Sequence, residues 1–387
     1  MSRHRVVVVG GGVHGASLFY HLLSLGLNRV LLVERKTLAS AATGRSTGII
    51  RHHYSHEVTV RLALHSSRAF RRFAETVGQD IAYVNNGLVF LAARGEEDAL
   101  RRCVDQQRRL GVDATLIDPT DVRSFHPDLV VDDVPLASYE RDAGYADPYS
   151  VTVGYAKAGE ALGGKVLLNT AVLDIRPRGG GGFLVATDHG EFEAECVILA
   201  VGAWARALGA RLGVDIPVTP LRLSNAVLEF PGGYARTTPT VLDLPNQLYF
   251  RPEGGHILVG DGEGLGDADP DRFDESLPYG FVEEVSERIV RRLPRCADAA
   301  YRTGWRGLDG ASPDFHPIVG PVPDVEGLYV CVGMSGHGFK LAPGIGRCLA
   351  ERIVHGRYAT VDLAPFAPDR FAKGNELPSL FSMRILA

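Results

Sequence analysis

Apolar residues fall in short runs punctuated by glycine and polar stretches, and the densest run comes first. Arg5 precedes four consecutive valines and then Gly10-Gly11-Gly12-Val13-His14-Gly15. Four β-branched residues in a row predict a strand buried on both faces, as in a parallel sheet. Ala16 to Leu25 carries apolar residues at helical spacing. The run therefore reads strand, tight turn, helix. Arg29 to Val33 predicts a second strand, ending in Glu34, nineteen residues beyond Gly15. Gly10 permits the turn, Gly12 admits a pyrophosphate to N–H groups at the positive helix end, and Gly15 lets helix and strand pack closely. Glu34 is placed to accept hydrogen bonds from a ribose diol. A G-x-G-x-x-G alone is weak; with strand, helix and acid around it, it predicts a dinucleotide site, the alternative being a strand–helix–strand unit without ligand.

Patterning organises the rest. Glu57 to Val77 is an amphipathic helix. Residues 80–145 change character: strands at Ile81 to Val84 and Leu88 to Ala92, a charged helix from Glu96 to Leu110, and Asp118-Pro119 capping another helix. Asp147-Pro148 caps a helix to Leu162, followed by a strand from Lys165 to Leu168. Val172 to Asp188 predicts a hairpin turning at Gly179 to Gly182. Cys196 to Ala200 is a strand meeting Gly202 and Trp204, which suits close approach of a nucleotide or a plain strand-to-helix turn. Pro217 to Asp261 alternates like an antiparallel meander, and Phe281 to Leu293 is helical. The strand Leu328 to Val332 leads into Gly333-Met334-Ser335-Gly336-His337-Gly338-Phe339-Lys340, which opens a last helix with Pro343 at its first position.

Composition narrows the class. The 387 residues are 45% hydrophobic and 22% charged, ordinary for a folded protein of two or three domains. A net charge of -5 argues against a nucleic-acid footprint. Five scattered cysteines without C-x-x-C spacing give no disulfide framework or metal site, and a reducing cytoplasm is the simplest compartment. The basic start faintly imitates a signal peptide, but glycines interrupt its apolar run. No stretch reaches 18 apolar residues, so no membrane span is expected. His52, His53 and His56 lack an acidic partner at helical spacing and predict no metal. The loop Gly266 to Glu275, with Asp267, Asp269, Asp271 and Asp274, reads as solvated surface.

Two stretches point to chemistry. The small-residue loop from Lys36 to Ile50 can lie against a flat or anionic ligand. The turn before Lys340 adds a second positive helix end, which suits an electron-accepting ring that becomes anionic when reduced.

These motifs resemble the FAD-dependent amine oxidoreductases that include sarcosine oxidase, glycine oxidase and D-amino-acid oxidase. The resemblance spans nearly the whole chain and is strongest in character to sarcosine oxidase beta-subunit-like proteins. It rests on Gly10 to Gly15 with Glu34, on Thr43-Gly44-Arg45-Ser46-Thr47-Gly48-Ile49-Ile50-Arg51-His52-His53-Tyr54, on Ala200-Val201-Gly202-Ala203-Trp204, and on Gly333 to Pro343.

The resemblance implies an α/β fold. A Rossmann-like FAD-binding domain (1–80, 146–215 and 315–387) is interleaved with a substrate-binding domain on a mixed, largely antiparallel sheet (81–145 and 216–314). It implies noncovalent FAD contacted by Gly10, Gly12, Val13, His14, Gly15, Glu34 and Arg35. Further contacts come from Thr43, Gly44, Arg45, Ser46, Thr47, Gly48 and Ile49, from Val172, Ala200, Gly202 and Trp204, and from Gly307, Gly333, Gly336, His337, Gly338, Phe339 and Lys340. Arg51 and Lys340 match residues that hold the substrate carboxylate or lie beside it, with Asp309, His53, Tyr249 and His337 completing the substrate site.

Three departures are specific to this chain. Gly307 stands where some members attach flavin through a cysteine, leaving a histidine link through His52 or His53 open. Asp309 stands where relatives carry an arginine or tyrosine; it pairs with Arg51 or binds a second ammonium on the substrate. Leu258 stands near the position of a lysine in oxygen-reactive members, so the electron acceptor is oxygen, a protein or a quinone. The implied reaction is oxidation of a C–N bond in a secondary, cyclic or N-methylated amino acid. The rivals are a 2-hydroxy-acid dehydrogenase with His53, His316 or His337 as base, and a flavin-carrying subunit of a hetero-oligomer. The apolar tail from Leu377 to Leu386 is a docking segment, for a homo- or hetero-oligomer, or an intramolecular strap.

Overall fold

A computed structural model describes residues 2–261, 265–266 and 268–383. The valine run lies in Ser2–Val9, an inner strand of an eight-stranded sheet. It runs parallel to Val30–Val33 on one side and Gly190–Leu199 on the other, with Leu328–Val332 parallel beyond. Val6 and Val8 share a core with Leu18 and Leu22 of the helix Val13–Ser24 and with Ile345 and Leu349 of the helix Gly338–His355. Val7 and Val9 share the opposite core with Phe183, Val185, Leu208 and Ile216. Burial on both faces is why this run shows no polar alternation.

A nine-stranded mixed sheet is built from strands between Leu88 and Glu140 and between Thr219 and Ala311. Its pairings are antiparallel except that Thr240–Asp243 runs parallel to Leu88–Leu91, a departure from the expected meander. Here the strands alternate. Ala226, Val241, Phe250 and Val259 pack with Val285 and Ile289 of the helix Tyr279–Arg292. Their neighbours Asn225, Leu242 and Tyr249 point to the other face, into a cavity. Arg292, 1% exposed, fixes that helix by donating to both oxygens of the fully buried Asp243 at 2.8 and 2.9 Å. Among the described residues no helix is long and apolar enough to cross a membrane.

Several expectations need correction. Ile81 to Val84 forms no strand, only an isolated bridge at Val84, because Ala82 sits at φ +49° and breaks the extended run. Asp118 caps a 3-10 turn, Pro119–Ser124. The helix from Glu57 is interrupted at Arg72, giving Glu57–Arg71 and Phe73–Val77. Pro343 lies inside its helix, not at its start. Ser66 Oγ accepts the N–H of Gly344, and the Ala342 carbonyl accepts from Ser17 Oγ, so neighbouring helices bond the backbone on either side of the proline. The tail is an intramolecular strap as far as it is described: Phe381 and Met383 are buried, and Leu377, Leu380 and Ser382 donate to Asp314, Ser55 and Glu96. Residues 384–387 of that tail, like Asp267 of the acidic loop, lie outside the described residues.

Candidate active site

The first glycine turn is fixed by sterics. A Cβ on Gly15 would stand 1.9 Å from the Gly10 carbonyl oxygen, and one on Gly10, at φ +111°, 2.4 Å from that of Ala200. At Gly15 the helix meets the end of its strand, and at Gly10 two adjacent strand ends meet, both at backbone contact, so both positions need glycine. Gly12 differs: its Cβ would meet only Thr43 Oγ1, at 3.2 Å. The first helical turn carries no acid, which leaves its positive end available to an anion. Glu34 accepts the N–H of Gly11 at 2.6 Å and of Lys36 at 2.8 Å.

The two glycine turns, more than 300 residues apart, converge. A Cβ on Gly338 would lie 3.2 Å from His14 Nε2, and Cys331 Sγ stands 3.7 Å from His14 Nδ1. Burial pushes the His14 pKa down to about 4, so the imidazole between the turns is neutral at physiological pH. Glu34 meets Gly11, His14 meets Gly338 and Lys340 meets Gly336, marking a route from one turn to the other. A single cavity of about 680 Å³ follows the same route, within the ~300–1,000 Å³ typical of ligand sites.

At one end Arg35 lies 4.0 Å over the Trp204 ring, and Asp271 accepts from both Arg35 and Trp204 Nε1 at 2.9 Å. The described acids of this loop are exposed, as expected from the sequence, and Asp271 in addition stands at the rim of the cavity. Glu275 of the same loop pairs with Arg45. These charges are largely exposed, and such pairs contribute up to about 1 kcal/mol. Asp271→Asn is expected to weaken FAD binding by less than about fivefold, measured by flavin titration, with the difference lost at about 1 M salt, where screening is near complete. An effect that persists there contradicts an electrostatic role.

At the other end Arg51, Lys340 and Asp309 gather. Arg51 is 3% exposed, stacks 4.2 Å from the Tyr54 ring and donates to the His53 carbonyl. Lys340 Nζ donates to the Gly336 carbonyl at 3.0 Å. Burial, reinforced by the Arg51 charge and opposed by Asp309, holds its pKa well below the ordinary lysine value. The Asp309 carboxylate accepts the N–H groups of Gly310 at 2.8 Å and Gly336 at 2.5 Å, and burial raises its pKa. It thus ties the second glycine turn to the strand Ala300–Ala311. Tyr249 donates to Asn225 Oδ1 at 3.0 Å, and burial raises the phenol pKa.

Most residues named from sequence line this cavity: Gly10, Gly12, Val13, His14, Glu34, Arg35, Thr43, Arg45, Ser46, Thr47, Ile49, Arg51, Val172, Ala200, Gly202, Trp204, Tyr249, Gly307, Asp309, Gly336, Gly338, Phe339 and Lys340. Others are placed elsewhere. Gly15, Gly44, Gly48 and Gly333 shape the backbone behind the wall, a Cβ on Gly48 meeting the Ala146 carbonyl at 2.1 Å. His53 stacks 4.1 Å from Phe90 and His337 meets the edge of Tyr54; neither side chain lines the cavity. His52 bonds Glu140 through Nδ1, and its side chain does not line the cavity. Leu258 is buried outside the wall.

Leu223, Asn225, Leu242, Leu308 and Met334 also line the cavity. For the first three the signal was strand alternation: they occupy the face opposite the buried Ala226 and Val241. The donor-rich turn at Gly12, the carboxylate of Glu34 and one continuous cavity fit an extended FAD.

Residues 5–352 match the family described as DAO, FAD dependent oxidoreductase. FAD-dependent oxidoreductase domain-containing protein 1 of Bos taurus is 31% identical over 418 residues, covering 97% of this chain and 86% of the relative. Human mitochondrial sarcosine dehydrogenase is 28% identical over 376 residues; the match takes in 92% of this chain, which spans only 40% of that relative's length. Two solved structures superpose over 96% of this chain and 99% of their own. They are L-proline dehydrogenase from P. horikoshii (TM-score 0.89, 26% identity) and glycine oxidase from Geobacillus kaustophilus (TM-score 0.83, 28% identity). On its motifs, its cavity and its match over most of its length, the chain belongs to the DAO family of FAD-dependent oxidoreductases.

Proposed function

We propose that the protein oxidises the C–N bond of a secondary, cyclic or N-methylated amino acid to an imine. The observation that carries this reading is the burial of Arg51 and Lys340 together at the end of the cavity away from Glu34 and Arg35. When bound, noncovalently in this reading, FAD supplies the two-electron acceptor for the hydride leaving the substrate carbon. The planar fork of Arg51 holds the substrate carboxylate and orients the adjacent C–H. Leu223, Leu242, Leu308 and Met334 give the amine substituent an apolar wall that excludes water. The names of the relatives, sarcosine and dimethylglycine dehydrogenases and L-proline dehydrogenase among them, support this substrate class.

Lys340 handles the proton. In its neutral form, which burial favours, Nζ accepts a proton from the substrate ammonium and frees the nitrogen lone pair. As pH falls through its lowered pKa, Nζ becomes protonated and kcat/KM falls, so an acid limb lies below the ordinary lysine range. In Lys340→Met that limb is expected to move alkaline, to the ionisation of the substrate amine itself. A pH profile with the limb unmoved removes Lys340 from this role.

The hydroxy-acid alternative names His53, His316 or His337 as base, and none of those side chains lines the cavity; Lys340 serves either reaction, so the choice of substrate class rests on the bleaching test. We assign 1–80, 146–215 and 315–387 to the cofactor domain and the intervening residues to the substrate domain, a division supported by which strands share a sheet. Anaerobic addition of sarcosine, proline or N-methylated amino acids is expected to bleach the flavin absorbance of the loaded protein. Bleaching by 2-hydroxy acids and by no amine overturns the proposal.

A further inference from the structure

Residues 51–55 adopt no regular secondary structure, yet Arg51 must hold a charged group in one place. Hydrogen bonding does what a helix or strand does elsewhere. The Tyr54 carbonyl accepts from Gln106 Nε2 at 3.2 Å and from the Cys103 thiol at 3.3 Å, both on the helix Glu97–Arg109. The Ser55 carbonyl accepts from Gln106 at 3.3 Å.

The strongest anchor comes from the nine-stranded sheet. Glu140, last residue of the strand Ala137–Glu140, is 3% exposed. Its Oε1 accepts the His52 backbone N–H at 2.8 Å and bonds His52 Nδ1 at 2.5 Å, while Oε2 accepts from Gln107 Nε2 at 3.1 Å. A buried carboxylate is tolerated only when donors and nearby positive charge compensate its desolvation. Here two of the donors sit on His52, the residue next to Arg51, and the third is Gln107 on the helix Glu97–Arg109.

We propose that Glu140 is the positioning residue for Arg51, clamping the peptide that carries it so that its guanidinium meets a substrate carboxylate. Glu140, His52 and Gln107 do not line the cavity, so Glu140 acts through Arg51 and never touches substrate. The inference rests on the proposed carboxylate site. It adds that the substrate domain, through one buried anion, sets how selectively the protein binds anionic ligands. Loss of that charge leaves His52 and Gln107 with an altered partner and lets the 51–55 segment shift, and displacements of about 1 Å at a positioning group are costly.

The test uses FAD-loaded protein and two probes, propionate and its uncharged counterpart propionamide, each titrated by perturbation of the visible flavin spectrum. In Glu140→Gln the propionate Kd is expected to rise at least about tenfold, while the propionamide Kd and the flavin content stay at wild-type values. Gln107→Met, which removes one donor from Glu140 and the side chain that meets His53, is expected to move propionate the same way by a smaller factor, and it decides the matter if Glu140→Gln does not accumulate. Equal weakening of both probes, or loss of flavin in parallel, makes Glu140 merely structural and overturns the proposal. Arg51→Ala separates the two claims. If it abolishes propionate binding while Glu140→Gln binds normally, the positioning claim fails and the carboxylate site stands. If Arg51→Ala binds propionate as tightly as wild type does, or wild type itself does not prefer propionate to propionamide, the proposed function fails and the role of Glu140 with it.

Discussion

Arg51→Ala is expected to lower kcat/KM by on the order of 2 to 5 kcal/mol, the usual cost of removing one partner from a buried charge pair. That is roughly 30- to 5,000-fold. The size follows from what remains. Arg51 is nearly inaccessible to water, and burial disfavours the charge of Lys340, the other basic group at this end, so Lys340 is a poor replacement. Arg51→Lys is expected to recover only part of the loss, because a point charge does not reproduce a planar fork. Flavin content is expected to stay intact. Steady-state kinetics on any amine that bleaches the flavin checks this, and an unchanged specificity constant removes Arg51 from the site.

Gly15→Ala is expected to yield protein without flavin and with destabilisation above about 4 kcal/mol, the range reached when a core backbone contact is broken. The added methyl would sit 1.9 Å from a backbone oxygen, which no side-chain adjustment relieves. Gly12→Ala isolates the other half of the motif. Its methyl meets only a hydroxyl at 3.2 Å, so the fold is expected to survive while FAD affinity falls, because the methyl takes space meant for phosphates. Circular dichroism and flavin content distinguish the two. A yellow, stable Gly15→Ala contradicts the packing account, and wild-type affinity in Gly12→Ala contradicts phosphate contact there.

What was legible in the chain tracks how local its cause is. Four valines, a glycine turn and an acid nineteen residues on are local, and the strand, helix and Glu34 stand where that pattern put them. Ala82 defeats a strand that its apolar neighbours favour, since one residue at positive φ outweighs propensity. Pro343 was misplaced because Ser66 and Ser17, from other helices, bond the backbone on either side of it. Non-local pairing hid the rest. Asn225 and Leu242 become cavity residues only once the helix Tyr279–Arg292 claims the other face of their strands, and Asp271 gains its role from Arg35 and Trp204. Glu140 carries no local signal, standing among Ser138, Tyr139 and Arg141 without a motif. His53 and His337 have suitable chemistry, but their side chains face aromatic packing instead of the cavity.

The central claim is that two distant glycine turns grip one extended FAD, the first at its phosphates and the second at its ring. A crystal structure of the FAD-loaded protein with a bound carboxylate measures this directly. The account predicts the pyrophosphate at Gly12 and Thr43, the isoalloxazine against Gly336 to Lys340, and the carboxylate on Arg51. An isoalloxazine lodged beside Arg35 and Trp204, or a second turn without contact to the flavin, would contradict it.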